Sequence, residues 1–467
     1  MLQAAVLGLV VALTQAQSAR IDAIVRTVMS EKHIAGLSLG IARRGTTLML
    51  RGYGYRNVAR HARADGYTIY RIGSITKQFT AAAIMQEVDR GDISLEAPVG
   101  SYGPHMSGAA ASVEVWQTLA QVSGLPSYSD VDASLRDQLE DVDPSPEQLW
   151  KLVANKPLLF PTGAAWDYSN TNYLLLGMAL ERVTAKPYAR LVQQRFCVPL
   201  HLFSTRFGDA VNAQNVATGY TWRNAIVATP VRAGLSDFAY AAGGLTSNAV
   251  DLLQWLEALR SGRVVSPSAF QRMATSARLP DGRHTGYGFG FFVRDWYGRR
   301  TIEHGGNIDG FTADEALVLD DGLEVTLLSN RDGISLVPLA KSIVAILDPP
   351  RDPNLYADMP RPPENENPRV TATVVAFVNQ LQHGTIDRTL LTPRLSASLS
   401  DARLRAGAAT LAALGQARSF EFIERTRVNH LTYEKYRVTF AVEQWWMTLG
   451  YRDDGKIDAL TLSPDNN

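Results

Sequence analysis

Strand-like runs open and close the main region of this chain, with helical patterns between them, and that order restricts the fold more than any other feature. Residues 34–57 alternate as two strands around Arg43-Arg44-Gly45. Strand character returns over residues 284–330, in Tyr287–Arg294, Thr301–His304, Ala316–Leu319 and Leu323–Leu328. The last two runs are joined by Asp320-Asp321-Gly322, a hairpin signal. Residues 74–260 read mainly as helices with loops, and Ser335–Leu347 reads as a helix. Strands from both ends with helices between them predict one antiparallel sheet flanked by helices, plus a helical lobe: an α+β fold.

Residues 349–368 read as a linker. Its seven prolines, from Pro349 to Pro368, stiffen it and prevent a helix from continuing. Beyond it, Val370–Leu381 and Leu404–Leu414 carry helical patterns. Phe420–Glu424, Tyr433–Val442, Trp446–Tyr451 and Lys456–Leu462 read as strands, the last entered through Asp453-Asp454-Gly455. Residues 369–467 are therefore expected to form a small accessory α+β domain, which weakly resembles the nuclear-transport-factor-2-like cone fold. Of its paired Trp445 and Trp446, one is expected in the core and one at the surface.

Chemistry enters at Ser74. Lys77 is the only lysine that follows a serine by three positions, in Gly73-Ser74-Ile75-Thr76-Lys77. Ile75, Phe79, Ala82, Met85 and Val88 recur at helical spacing and Gly91 supplies a stop. Ser74 thus sits at or just inside a helix N-terminus, with Lys77 one turn on along the same face. The amine is then within reach of the hydroxyl, and the positive end of the helix dipole favours its ionisation. A capped helix with a solvated lysine would give the same short string.

Two further motifs change that balance. Tyr168-Ser169-Asn170 follows in the loop Phe160–Tyr173, and His304-Gly305-Gly306 ends the run Thr301–His304. Serine-x-x-lysine, tyrosine-x-asparagine and histidine-x-glycine, in that order, resemble the motifs of the class C beta-lactamase and D-alanyl-D-alanine carboxypeptidase family. Segments Gly36–Tyr55, Ile93–Val99, Ser123-Gly124-Leu125-Pro126, Ala242-Gly243-Gly244-Leu245 and Tyr287–Gly290 look like further family features. The similarity spans residues 20–349 and implies an active site between the sheet and the helical lobe.

The resemblance implies an acyl-enzyme on Ser74, with Lys77 and Tyr168 sharing the general-base and proton-relay work. Asn170 would orient Lys77 and the substrate amide. The backbone N–H groups of Ser74 and Asn307 would form the oxyanion hole, and His304 with Gly306 would complete the cleft wall. Two departures stand out. The family's histidine–threonine pair before Ser-Gly-Leu-Pro is replaced within Leu119-Ala120-Gln121-Val122, and His304 stands where class C beta-lactamases carry lysine. The expected activity is therefore hydrolysis of an ester or a D-amino-acid peptide or amide bond. A class C beta-lactamase, and a non-catalytic penicillin-binding or sensory protein, are the alternatives. Gly36-Leu37-Ser38-Leu39-Gly40 matches a nucleophile elbow in letters only, because its alternation continues into a hairpin and makes Ser38 a strand residue. Tyr55-Arg56-Asn57, a second tyrosine-x-asparagine at a strand end, reads as structural.

Composition narrows the partners. Forty-six basic and forty-six acidic residues cancel, so nothing in the charge balance suggests nucleic acid or an anionic membrane surface. Cys197 is the single cysteine, which excludes an intrachain disulfide, and no metal-ligand motif occurs. The expected partner is a small-molecule or peptide substrate, with no cofactor. Ala4–Leu13 is apolar but too short to span a membrane. With Thr14-Gln15-Ala16 or Gln17-Ser18-Ala19 before a cleavage point, residues 1–19 read as a signal peptide, implying a secreted or periplasmic protein.

Overall fold

The strands at the two ends of the main region meet in one sheet. In a computed structural model of the protein, the described residues are 12–130, 144–208, 214–223, 227–230, 236–348, 368–428, 431–441, 444–452 and 454–464. The strands are β1 (Gly36–Arg43), β2 (Thr46–Asn57), β3 (Ala62–Arg63), β4 (Phe292–Asp295), β5 (Arg300–Ile308), β6 (Phe311–Val318) and β7 (Leu323–Ser329). They lie in the order β3-β2-β1-β7-β6-β5-β4. The closing contact is β1 against β7, antiparallel from Leu37↔Ser329 to Arg43↔Leu323.

Both faces of this sheet are covered, which is why β6 and β7 are buried along their whole length. Helices α1 (Gln15–Glu31), α2 (Thr76–Arg90), α3 (Asn170–Thr184), α4 (Ala249–Arg260) and α5 (Val337–Leu347) do the covering and build the lobe. On one face Ile21 and Val25 of α1 and Ile343 and Val344 of α5 pack with Leu37, Leu39 and Ile41. On the other, α2 and α4 join a larger core with α3, in which Phe79 stacks on Trp255 with ring centroids 3.8 Å apart. Burying one such aromatic side chain contributes roughly 1.5–3 kcal/mol.

The expected strand over Tyr287–Arg294 is shorter than its sequence suggests, beginning only at Phe292. Gly290 adopts a left-handed φ of 79°, and a Cβ there would lie 3.0 Å from the Lys77 carbonyl oxygen. Residues 288–291 instead fold into a tight turn, with the Gly288 N–H donating to the Phe291 carbonyl (2.8 Å) beneath a Tyr287↔Phe292 bridge, and Gly290 packs against α2. The signal-peptide expectation falls largely on residues 1–11, outside the described residues; Thr14 caps α1, so Gln15–Ala19 form its first turn. Residues 349–367 of the linker are likewise outside the described residues.

The C-terminal part has its own core. Helices α6 (Pro368–Gln382) and α7 (Asp401–Ala413) accompany the antiparallel meander β8 (Ser419–Val428), β9 (Leu431–Thr439), β10 (Gln444–Tyr451) and β11 (Ile457–Pro464). Phe377, Tyr436, Trp445 and Met447 meet inside it, while Trp446 lies on the opposite face between Lys435 and Arg437. The two tryptophans divide as period-two alternation requires.

Candidate active site

Ser74 lies in a 3₁₀ turn, Gly73–Ile75, that leads directly into α2, and Lys77 occupies the first turn of that helix. The Lys77 amine is completely buried and makes three bonds: to Ser74 Oγ (3.1 Å), Asn170 Oδ1 (2.8 Å) and the Ala242 carbonyl oxygen (2.9 Å). Burial holds its pKa well below the ordinary lysine value. The rings of Tyr168 and Tyr173 face the amine, with centroids at 4.7 and 5.5 Å. These aromatic walls exclude the water that would otherwise stabilise an ammonium.

The second motif is held by the loop before it. Asn170 donates through Nδ2 to Ser129 Oγ (2.9 Å), and its backbone N–H donates to Ser127 Oγ (3.1 Å). Gln121, from the segment that departs from the family pattern, is fully buried. Its Oε1 accepts from the Ser169 backbone N–H (3.0 Å) and from Asn172 Nδ2 (2.6 Å), while its carbonyl accepts from the Asp167 N–H (3.0 Å). Gln121 therefore clamps both residues that flank Tyr168. Its φ of 62° is unusual for a non-glycine residue and marks local strain at the site. Tyr168 has a buried hydroxyl that lies close enough to Ser74 to feel it electrostatically, yet it makes no hydrogen bond of proper geometry. Burial raises its pKa above the ordinary tyrosine value, against the opposing influence of Ser74.

The third motif lies differently from expectation. His304 is 1% exposed and does not line the cleft, correcting the expectation that it completes the wall. Its Nδ1 lies 2.6 Å from the Gly305 carbonyl oxygen, which can only accept. The ring proton is therefore on Nδ1, and Nε2 accepts from the Tyr287 hydroxyl at 3.0 Å. Burial and the nearby Lys77 push its pKa down to about 3, so the ring is neutral. Gly306 also lies outside the cleft lining, where β5 packs closely against the turn Gly73–Ile75. A Cβ at this position would sit 1.9 Å from the Ile72 carbonyl oxygen. Asn307 does line the cleft, and its side-chain Oδ1 is tied to the Gly333 N–H (3.2 Å). Gly73, with φ 49°, passes so near that a Cβ there would lie 3.0 Å from the Asn307 nitrogen.

The cleft above Ser74 has a volume of about 320 Å³. Tyr128–Asp130 and Asn170 form one side, Phe238, Ala239, Ala242 and Gly243 a second, and Asn307–Asp309 a third. The charged residues among these described lining residues are both acids, Asp130 and Asp309. Beside the rim, Asp167 is pushed up to about 6 by burial of its carboxyl and by Asp130, against Lys435 of the C-terminal domain, although the residue as a whole remains exposed.

Ala242 and Gln121 lie in segments that the sequence singled out, but their roles in the site, and Ser129 altogether, escaped sequence reasoning. Ala242 contributes only its backbone, presented by a kink at Tyr240 (φ 39°, ψ −134°), so no side chain could have revealed it. Gln121 and Ser129 were signalled only by their places beside Ser123-Gly124-Leu125-Pro126. Ser38 is a β1 residue bonded to Tyr70 and the Asp65 carbonyl, and Asn57 holds Thr218; both are structural. Cys197 is buried and its thiol is pushed up to about 12 chiefly by that burial.

Comparison with known proteins gives a consistent picture. Protein flp of Staphylococcus aureus (strain N315) is 26% identical over 327 residues, covering 68% of this chain and 64% of that protein. The chain thus spans less than two thirds of that relative's length. A D-aminopeptidase of Gluconobacter oxydans (strain 621H) is 24% identical over 407 residues, covering 87% of this chain and 77% of its own. The octameric penicillin-binding protein homologue of Pyrococcus abyssi superposes with a TM-score of 0.64 at 21% identity, covering 96% of this chain and 98% of that one. At that identity the superposition shows a shared fold. The Beta-lactamase family model matches residues 21–348, from α1 through all three motifs to the end of α5, and the chain belongs to that family.

Proposed function

We propose that the protein is a serine hydrolase that forms an acyl-enzyme on Ser74 and cleaves an ester or a D-amino-acid peptide or amide bond. The bonding of Lys77 carries this reading. A neutral amine has two N–H donors and one lone pair. Asn170 Oδ1 and the Ala242 carbonyl can only accept, so they take the two N–H groups and leave the lone pair for the Ser74 hydroxyl. Lys77 then removes the Ser74 proton as Oγ attacks the acyl carbon. The protonated Tyr168, next to Ser74, supplies a proton to the leaving oxygen or nitrogen and is refilled from the Lys77 ammonium. The Ser74 and Asn307 backbone N–H groups serve as the oxyanion hole, supported by the tight packing of Gly73 and Gly306 between them. Water, deprotonated by the same amine, releases the acid. The D-aminopeptidase relative supports the amide and peptide branch of this reading.

Efficient beta-lactamase activity has less support. The lysine of that motif is here a buried neutral histidine, and the charged residues among the described lining residues are both acids, which disfavours a beta-lactam carboxylate. The test is labelling with a fluorophosphonate and with a fluorescent penicillin, followed by peptide mapping. The label is expected on Ser74 and lost in Ser74→Ala; a label elsewhere, or ester turnover by that variant, refutes the assignment.

A further inference from the structure

We infer that Tyr240 is a positioning residue for the hydrolytic reaction: its strained backbone presents the Ala241 and Ala242 carbonyls to α2 and so fixes the direction of the Lys77 lone pair. The inference rests on the acyl-enzyme reading and gives a task to a residue outside the described cleft lining. Three observations lead to it. First, the helical segment Ser236–Gly243 is broken at Tyr240, whose φ of 39° and ψ of −134° are not helical. A tyrosine in this region is strained, and such a conformation persists only where its surroundings enforce it. Carbonyls at a helix end have no partner within the helix. Here two successive ones are satisfied by α2: the Ala241 oxygen accepts from Thr80 Oγ1 (2.7 Å) and the Ala242 oxygen from Lys77 Nζ (2.9 Å). Thr80 and Lys77 lie one turn apart on that helix.

Second, the enforcement comes from packing. The Tyr240 ring is buried against Tyr188, at a centroid distance of 5.4 Å, and against Phe207, at 6.2 Å. It also packs over Gly177 inside α3, where a Cβ would lie 2.6 Å from the ring's Cε1 and 2.4 Å from the Ala241 Cβ. Glycine disfavours a helix interior, and here its missing side chain makes the room that Tyr240 and Ala241 occupy. Tyr188 supports the carbonyl pair as well: Thr80 spends its proton on Ala241, so the Tyr188 hydroxyl donates to Thr80 Oγ1 at 2.7 Å. Third, the base depends on this carbonyl. With Asn170 as its sole acceptor, the neutral amine would be free to turn about its terminal bond, and its lone pair would face Ser74 only part of the time. The Ala242 carbonyl removes that freedom. It also stabilises the ammonium, to which its bond is charge-assisted. Losing it should therefore lower both turnover and the Lys77 pKa. The titratable groups facing the amine from other elements are Tyr168, Tyr173 and His304. Burial keeps both tyrosines protonated and the histidine neutral near neutral pH, so the rise in rate with pH reports Lys77.

The test uses the full-length protein, p-nitrophenyl butyrate as a neutral ester, and three variants assayed well below their melting temperatures. Tyr240→Phe keeps the ring, and the hydroxyl it removes makes no hydrogen bond of proper geometry, so its kcat should stay close to wild type. Gly177→Ala places a methyl group in the space of Tyr240 and Ala241, and Tyr240→Gly removes the ring that enforces the break. Each of these two should lower kcat by about tenfold, the worth of one hydrogen bond, with little change in KM. Each should also move the midpoint of the rise in kcat/KM to lower pH. Either change without the other, a midpoint that moves up, or a Tyr240→Phe variant as impaired as Tyr240→Gly overturns the inference and leaves the hydrolase reading intact. If Gly177→Ala does not fold, the contrast between Tyr240→Gly and Tyr240→Phe decides alone. Absence of wild-type butyrate turnover together with absence of Ser74 labelling would instead refute the reading beneath it.

Discussion

Lys77 shows how one buried side chain sets a pH profile. As the proposed base it works deprotonated, so kcat/KM should rise with pH through its pKa and level off above it. Burial moves that rise well below 10.5, the ordinary lysine value. Lys77→Ala should cost about 10²–10⁴-fold in turnover. Lys77→Arg should not recover it, because a guanidinium stays protonated. A pH series of kcat/KM on wild type and both variants checks this. His304 makes the opposite case: a motif residue whose replacement by the family's lysine is expected to fail. The new ammonium would be buried beside Lys77, and the Tyr287 bond would be lost. An unpaired buried charge costs about 3–5 kcal/mol. His304→Lys should therefore melt lower than wild type and gain no cephalosporin hydrolysis, measured by thermal unfolding and a chromogenic substrate.

The elements that carry the three motifs are locked together by polar contacts of neighbouring loops. Gln121 is the clearest example, because its side chain satisfies the Ser169 N–H and the Asn172 amide in a buried setting. Gln121→Ala leaves both donors without that acceptor, at a cost of about 1–3 kcal/mol for a buried unsatisfied group. Tyr168 should then lose its placement, so kcat is expected to fall more than KM changes. Steady-state kinetics with a neutral ester, alongside urea unfolding, separates this from simple destabilisation; an unchanged kcat would show that the loop holds Tyr168 without Gln121. Where β5 crosses the nucleophile turn, Gly306 does comparable work by lacking a side chain.

Seen whole, the main region and the C-terminal domain each possess a separate core, and the charge of Lys435 in β9 reaches Asp167 beside the second motif. The central sheet also stores protons. Asp314 and Glu315 in β6 are raised well above ordinary carboxyl values by burial, and Glu324 in β7 is pushed up to about 8 by burial and by Glu257. In the unfolded chain these groups release their protons near pH 4. Between the two values the folded state holds more protons than the unfolded state, so stability falls as pH rises. For Glu324 the window runs from about 4.5 to about 8. His304, pushed down to about 3, acts in the other direction and favours the folded state as pH rises toward 6.5. Glu324→Gln should flatten the decline between about pH 4.5 and 8, read as ΔG of unfolding against pH. An identical slope in the variant would place the proton elsewhere.

Sequence by itself determined the family, the sheet closed from both ends, a C-terminal part with its own helices and meander, and Ser74, Lys77, Tyr168 and Asn170 as neighbours-to-be. Those features are local: helix phase puts Lys77 beside Ser74, strand alternation divides Trp445 from Trp446, and motif order survives in the chain as written. Tertiary structure decided what depends on packing between distant segments. Whether His304 faces substrate or Tyr287 is set by how β5 lies against residues 287–292, where the turn Gly288–Phe291 packs its Gly290 against α2. The Ala242 carbonyl and the Gln121 clamp likewise depend on backbone positions that carry no side-chain signal or an unfamiliar one. Among the described lining residues, the acids Asp130 and Asp309 are far apart in the chain and meet only because the fold brings them to one cavity. Solvation and electrostatics depend on distance in space, and the spacing of residues along a chain does not contain it.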